Sequence, residues 1–314
     1  MRGGADSARV RRRRNAFHDE GATRVTPDAT AGRPAAAASL LVIAAVVSVQ
    51  AGSAVATTLF DQVGPAGAVL YRLVFAALVL LAIWRPRPLE AGRDGVVLVV
   101  AFGITLAAMN LCFYEALDRI PLGIAVTFEF VGPLLVGLLG SRRPLDLVWV
   151  ASAAAGVLLL TRPSGSASAA GIGFALLAGG FWAAYILLSA RIGRAFAGGR
   201  GLALAMGVGG VLMVIPGALA AGGDLVDPGA AAVGAAAGLL SSVIPYSLEL
   251  EALRRIPVGT FGVLMSMEPA VAALIGLVAL SQGLGAPDVL GIGLVVVASA
   301  GVLGVSPGEA PTEA

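Results

Sequence analysis

Three ionisable side chains stand where an apolar chain tolerates them least. Arg72, Glu129 and Glu268 each lie near the middle of a long hydrophobic run. A charge at mid-bilayer depth costs about 2.5–3.5 kcal/mol on insertion scales, so such residues face a bundle interior, pair, or line a wet cavity. Arginine offers a carboxylate a two-pronged donor. A buried glutamate can seat an ammonium group or carry a proton. The plainer alternative is an Arg–Glu bridge that only ties helices together. Gln50, Asn110, Tyr114, Trp182, Tyr185, Ser241, Ser242, Tyr246 and Glu249 lie in or at the ends of other apolar runs. Singly, each reads as an interhelical hydrogen bond or an interface anchor. As a set they predict one central polar pocket for a small molecule.

Proline adds a second kind of chemistry. Within a helix it leaves the carbonyl four residues earlier without its donor. Pro133, Pro245 and Pro269 all fall inside apolar runs. Pro133 frees the carbonyl of Glu129 and Pro269 that of Met265. Each is predicted to break its helix and expose an acceptor to the pocket.

Other chemistries are excluded by what is missing. His18 is the one histidine and sits in the polar tail; Cys112 is the one cysteine and reads as a small space-filler. No metal-ligand cluster, disulfide framework or nucleophile–base pair can be assembled from them. The glycine-rich pieces lack the Gly-Lys-Ser/Thr ending of a phosphate loop. The chain is therefore expected to be no enzyme and to use no cofactor, metal or nucleic acid.

The elements that must position these residues are membrane spans. The chain is 58% hydrophobic and only 13% charged, with a mean hydropathy of +0.91. A soluble domain carries about 25% charged residues. Ten apolar runs of spanning length are predicted, at roughly 38–59, 66–84, 95–116, 121–140, 146–162, 170–190, 202–220, 230–250, 257–280 and 286–304. The expected fold is an all-α membrane protein. Residues 1–37 form an Arg-rich tail expected to be disordered and cytoplasmic, and 305–314 a short cytoplasmic C-terminal tail. Arg11 to Arg14 superficially suggest an export signal, but about twenty polar residues separate them from the first span.

All 21 basic residues are arginine. With the tail inside, 18 fall in inner segments, two (Arg119 and Arg162) in outer segments, and Arg72 within a span. That is the positive-inside pattern, and it places both termini in the cytoplasm.

The chain also repeats. Glu115 to Gly123 returns as Glu251 to Gly259 with seven of nine residues unchanged, an offset of 136 (251 − 115), and Pro133 lands on Pro269 at the same offset. Two halves are expected, 38–165 and 166–304. Each holds five spans, an odd number, so the second enters the membrane inverted, as in many secondary transporters. Glu115 with Arg119 and Glu251 with Arg255 read as helix-end ion pairs, and Trp84 and Trp149 as interface anchors.

Four stretches carry a family resemblance: Ile-Pro-Leu-Gly-Ile-Ala-Val-Thr-Phe-Glu-Phe-Val-Gly-Pro-Leu at 120–134, Ser-Arg-Arg-Pro-Leu-Asp at 141–146, Ile-Pro-Tyr-Ser-Leu-Glu at 244–249 and Thr-Phe-Gly-Val-Leu-Met-Ser-Met-Glu-Pro-Ala at 260–270. Over about 38–304 the chain resembles the drug/metabolite transporter superfamily with two EamA-type halves, and within it the bacterial inner-membrane exporters of threonine and homoserine. The resemblance implies proton-coupled export of small amino acids by a monomer or homodimer contacting membrane lipid. A broader drug or metabolite exporter and a solute channel are the alternatives. One departure stands out. The family often has Gly-Glu-x-Leu after span nine, where this chain has Ser281-Gln282-Gly283-Leu284.

Overall fold

The computed structural model describes residues 32–87, 92–139, 146–160, 168–256 and 258–305. The arginine run and His18 of the tail, Arg142, Arg143, Arg162, Pro257 and residues 306–314 lie outside the described residues. The chain divides into an N-terminal unit, Met1–Ala36, and a body, Ala37–Ala314. The helices below build the body.

Among the described residues every regular element is helical. In order they are α1 (Gly32–Thr57), α2 (Phe60–Trp84), α3 (Gly92–Leu117), α4 (Leu122–Glu129), α5 (Val131–Leu139), α6 (Asp146–Leu160), α7 (Ala169–Ala195), α8 (Arg200–Ala221), α9 (Pro228–Gly238), a π-helical segment Leu239–Val243, α10 (Ile244–Leu253), α11 (Val258–Met265), α12 (Glu268–Ala279) and α13 (Ala286–Val305). Seven helical stretches among the described residues are long and apolar enough to cross a membrane. Three more, Leu122–Val136, Val148–Leu160 and Ala286–Gly301, are apolar but shorter. Ten apolar stretches thus stand where ten were expected, three of them below spanning length.

Local chemistry explains the boundaries. α2 is kinked at Gly64, whose φ of 69° suits a residue without Cβ, followed by Pro65; the regular helix begins where the sequence pattern put it. Ser168 Oγ accepts from Gly171 N at the start of α7. Asp227 Oδ1 accepts from Ala230 N ahead of Pro228 at the start of α9. Span four is broken at Phe130, between α4 and α5, and span nine at Ser266–Met267, between α11 and α12. Both breaks precede the expected prolines, Pro133 and Pro269.

The element boundaries recur. Shifted by 136 residues, α3 becomes 228–253, the extent of the span Pro228–Leu253, and α4 becomes 258–265, the extent of α11. The helices also pack in pairs: α2 on α8, α6 on α13, α4 on α12 and α3 on α7. Along the first pair, Leu70 meets Gly217, Val74 meets Gly210, Leu81 meets Gly207 and Trp84 meets Gly199. Rising numbers on one helix meet falling numbers on the other, so the two are antiparallel. The same holds for α6 and α13, where Trp149 packs on Gly301 and Leu160 on Gly291.

Tyr114, Phe102, Phe128, Phe130, Leu73 and Leu106 are fully buried, while Leu78, Val211, Leu219 and Val278 are exposed. A bundle apolar on both its inner and outer surfaces suits a lipid environment. The Trp149 ring packs on Gly301, and its indole Nε1 is buried without a partner. The helix-end pairs form as read: Arg119 Nη1 lies 2.6 Å from Glu115 Oε2, and Arg255 bonds Glu251.

Candidate functional site

One cavity of about 390 Å³ lies among α1, α2, α3, α4, α5, α7, α10, α11 and α12. Its wall includes Gln50, Arg72, Asn110, Glu129, Trp182, Tyr185, Tyr246, Glu249, Glu268, Pro133 and Pro245. With Ser241, twelve of the fifteen sequence-selected residues therefore meet at one place. Tyr114 stands behind the wall, fully buried, holding Arg72. Pro269 follows Glu268 in the first turn of α12 and does not line the cavity.

Arg72 is 4% exposed and tightly held. Its Nε donates to Ser242 Oγ at 3.1 Å, Nη1 to the Tyr114 hydroxyl at 3.3 Å and Nη2 to the Ser241 carbonyl at 2.9 Å. The guanidinium also lies 5.4 Å from the Tyr114 ring centroid. Helix geometry explains the third bond. Pro245 cannot donate back to Ser241, so this carbonyl of the π-helical segment Leu239–Val243 lacks its i+4 donor. Of the five N–H groups of a guanidinium, three are thus committed to the protein, leaving one on each Nη. Among the described residues Arg72 forms no salt bridge within 4 Å. The plainer alternative, an Arg–Glu bridge, is not formed among the described residues.

The two central glutamates occupy opposite kinds of helix end. Glu129 is the last residue of α4, and Glu268 is the first of α12. Glu268 Oε1 accepts from Gln50 Nε2 at 2.9 Å. Glu268 Oε2 and Gln50 Oε1 are buried without a partner. The carbonyl of Glu129, relieved of its helical donor by Pro133, points at Gly179 of α7. A Cβ on Gly132 would collide with the Gly179 carbonyl in turn, so only glycine lets α5 and α7 approach this closely.

Sequence reasoning missed the apolar part of the wall: Val49, Met109, Phe113, Phe130, Val136, Ile186, Phe261 and Met265. One signal could have found it. Val49 and Tyr185, Gln50 and Ile186, Met109 and Pro245, Asn110 and Tyr246, Phe113 and Glu249, and Glu129 and Met265 are six wall pairs offset by 136 residues. Applying the repeat offset to Tyr185, Gln50, Pro245, Glu249 and Glu129 names Val49, Ile186, Met109, Phe113 and Met265.

Beyond one end of the cavity the bundle is shut. Gln282 Oε1 accepts from Leu122 N at 2.9 Å, capping α4, and Gly123 packs on Ala273. The Arg119 guanidinium sits 5.0 Å from the Phe174 ring centroid. Ser281, at a φ of 54°, closes the turn that delivers Gln282, with Gln282 N donating to Gly276 O at 3.0 Å.

A model of the EamA-like transporter family matches residues 169–304, starting at the first residue of α7. The threonine/homoserine exporter RhtA of Escherichia coli K12 is 38% identical over 265 residues, covering 83% of this chain and 90% of that protein. The exporter of the same name from Salmonella typhimurium LT2 is 37% identical over 278 residues, covering 88% and 94%. A solved crystal structure at 19% identity superposes with a TM-score of 0.60, covering 84% of this chain and 96% of that one, and speaks to the fold alone. The chain belongs to the EamA-like transporters of the drug/metabolite transporter superfamily: a multi-pass inner-membrane protein, no enzyme, that carries small polar solutes and is related to the RhtA threonine/homoserine exporters.

Proposed function

We propose that this protein exports small amino acids of the threonine and homoserine type by alternating access, exchanging them for protons. The observation that carries the reading is that Arg72 and the glutamates line one cavity. Arg72 keeps two N–H groups for a carboxylate, and the glutamates offer a seat for an ammonium. A zwitterion answers both. The names of the E. coli and Salmonella relatives point to the same substrates.

Proton exchange is supported by charge balance. The wall holds Glu129, Glu249 and Glu268 against Arg72 alone. A zwitterion adds no net charge, so protons must offset the surplus carboxylates. A helix N-terminus favours a carboxylate and a C-terminus disfavours it. Glu268 is therefore assigned the substrate and Glu129 the exchanged proton.

Alternating access is supported by the pairing of elements. The halves 38–165 and 166–304 are read as inverted repeats. Val74 and Gly210 are offset by 136 and touch where antiparallel α2 and α8 cross. That is the contact required of a two-fold axis lying in the membrane plane. With both termini cytoplasmic, the shut end near Gln282 is the outer one, and the cavity faces inward.

The test is counterflow of labelled threonine in proteoliposomes. Flux should saturate, accelerate with unlabelled threonine on the far side, and follow an imposed pH gradient. Flux that neither saturates nor shows counterflow would mean a channel. The aromatic wall of Phe113, Phe130, Trp182 and Phe261 favours a second reading, a broader metabolite exporter. It would appear as equal competition by amphipathic compounds without an amino-acid group.

A further inference from the structure

We propose that Gln50 and Glu268 together form a subsite for a primary ammonium group, and that Gln50 makes the site reject substituted amines. The inference rests on the amino-acid reading above for the source of the ammonium.

The two residues come from α1 and α12, 218 positions apart. Gln50 is 1% exposed and Glu268 6%, yet both line the cavity. Gln50 Nε2 donates to Glu268 Oε1 at 2.9 Å. That bond orients the amide, since turning it over would set two acceptors against each other. It leaves Gln50 Oε1 and Glu268 Oε2 buried and without a donor. Unsatisfied acceptors are costly in a buried site, more so for a charged group.

Several other polar donors of the wall are held by the protein itself. Ser53 Oγ donates to Val49 O at 2.9 Å, Asn110 Nδ2 to Leu106 O at 2.7 Å and Ser241 Oγ to Ala237 O at 2.5 Å. Three guanidinium N–H groups of Arg72 are held by Ser242, Tyr114 and Ser241. A solute that brings its own donors would satisfy the two oxygens.

The count of donors selects its class. A primary ammonium carries three N–H groups and no acceptor, so it can serve both orphaned oxygens with one to spare. A dimethylated ammonium retains one N–H and leaves an oxygen unpaired. A quaternary one satisfies neither. The subsite is also single. Positions offset by 136 from Gln50 and Glu268 hold Ile186 and Gly132, so the other half of the protein has no copy, and one solute is held in one orientation.

The experiment titrates purified full-length protein with L-threonine, its N,N-dimethyl derivative, methylammonium and tetramethylammonium, following tryptophan fluorescence from Trp182. The wild type should bind threonine at least about tenfold more tightly than the dimethyl derivative. Gln50→Met, which keeps length but removes the acceptor, should weaken threonine and abolish the preference. Equal binding of both compounds by the wild type, or a preference that survives in Gln50→Met, overturns the subsite, and the first of these needs no variant to fold. If no amino acid binds, the amino-acid reading fails by itself. Methylammonium against tetramethylammonium then decides the subsite on the same sample, and no preference for the primary ion overturns it.

Discussion

Arg72 Nη2 donates to the carbonyl of Ser241 at 2.9 Å, and that carbonyl is available because Pro245 cannot claim it. A proline usually read as a kink thus positions the cavity's guanidinium. Pro245→Ala would supply an N–H that competes for Ser241. The expected result is a folded protein whose threonine counterflow falls several-fold, since a hydrogen bond to a charged group is worth about 1.5–3 kcal/mol. Arg72→Lys should lose about 100-fold, because an ammonium cannot hold three anchors and still face a carboxylate. Undiminished counterflow in Arg72→Lys would remove Arg72 from the substrate site.

The two central glutamates should separate in assay. Glu129→Gln is expected to keep counterflow while losing response to an imposed pH gradient. Glu268→Gln is expected to lose both. Pairing each variant with gradient-driven flux and counterflow in the same vesicles checks the assignment. If both keep full gradient-driven flux, proton exchange at these residues is wrong.

The contact of Gly132 with Gly179 leaves no room for a methyl group. Gly132→Ala should destabilise the protein by about 1–3 kcal/mol through overpacking, read as a lowered Tm in detergent. Gly173→Ala meets open space and should leave Tm nearly unchanged. Equal Tm values for the two variants would deny the close approach of α5 and α7.

The shut end can be locked. In a Cys112→Ser background, Leu122→Cys with Gly276→Cys sets Cβ atoms 3.5 Å apart on α4 and α12, within disulfide reach. Oxidation should stop counterflow and reduction should restore it. Gln282→Ala, which uncaps α4, should raise access of water-soluble thiol reagents from the outer side to a cysteine placed at Phe113. Full transport in the oxidised double variant would show that this end never opens.

Much of this was legible in the chain itself. Spanning runs need only apolar length, so all ten stretches could be read, and the price of burying a charge singled out Arg72, Glu129 and Glu268. The offset of 136 residues marks equivalent positions from the chain alone. What the sequence could not decide was partnership. Arg72 was read as meeting a substrate carboxylate or balancing Glu129 and Glu268; its protein partners are Ser241, Ser242 and Tyr114. Those bonds depend on a π-helical register that composition does not encode. The departure at Gln282 looked like a lost carboxylate, while in the fold its amide caps α4 from 160 residues away. Composition and spacing determine which residues must avoid lipid; only the packing of helices distant in sequence decides which donors are spent and which acceptors, Gln50 Oε1 and Glu268 Oε2, are left waiting for a solute.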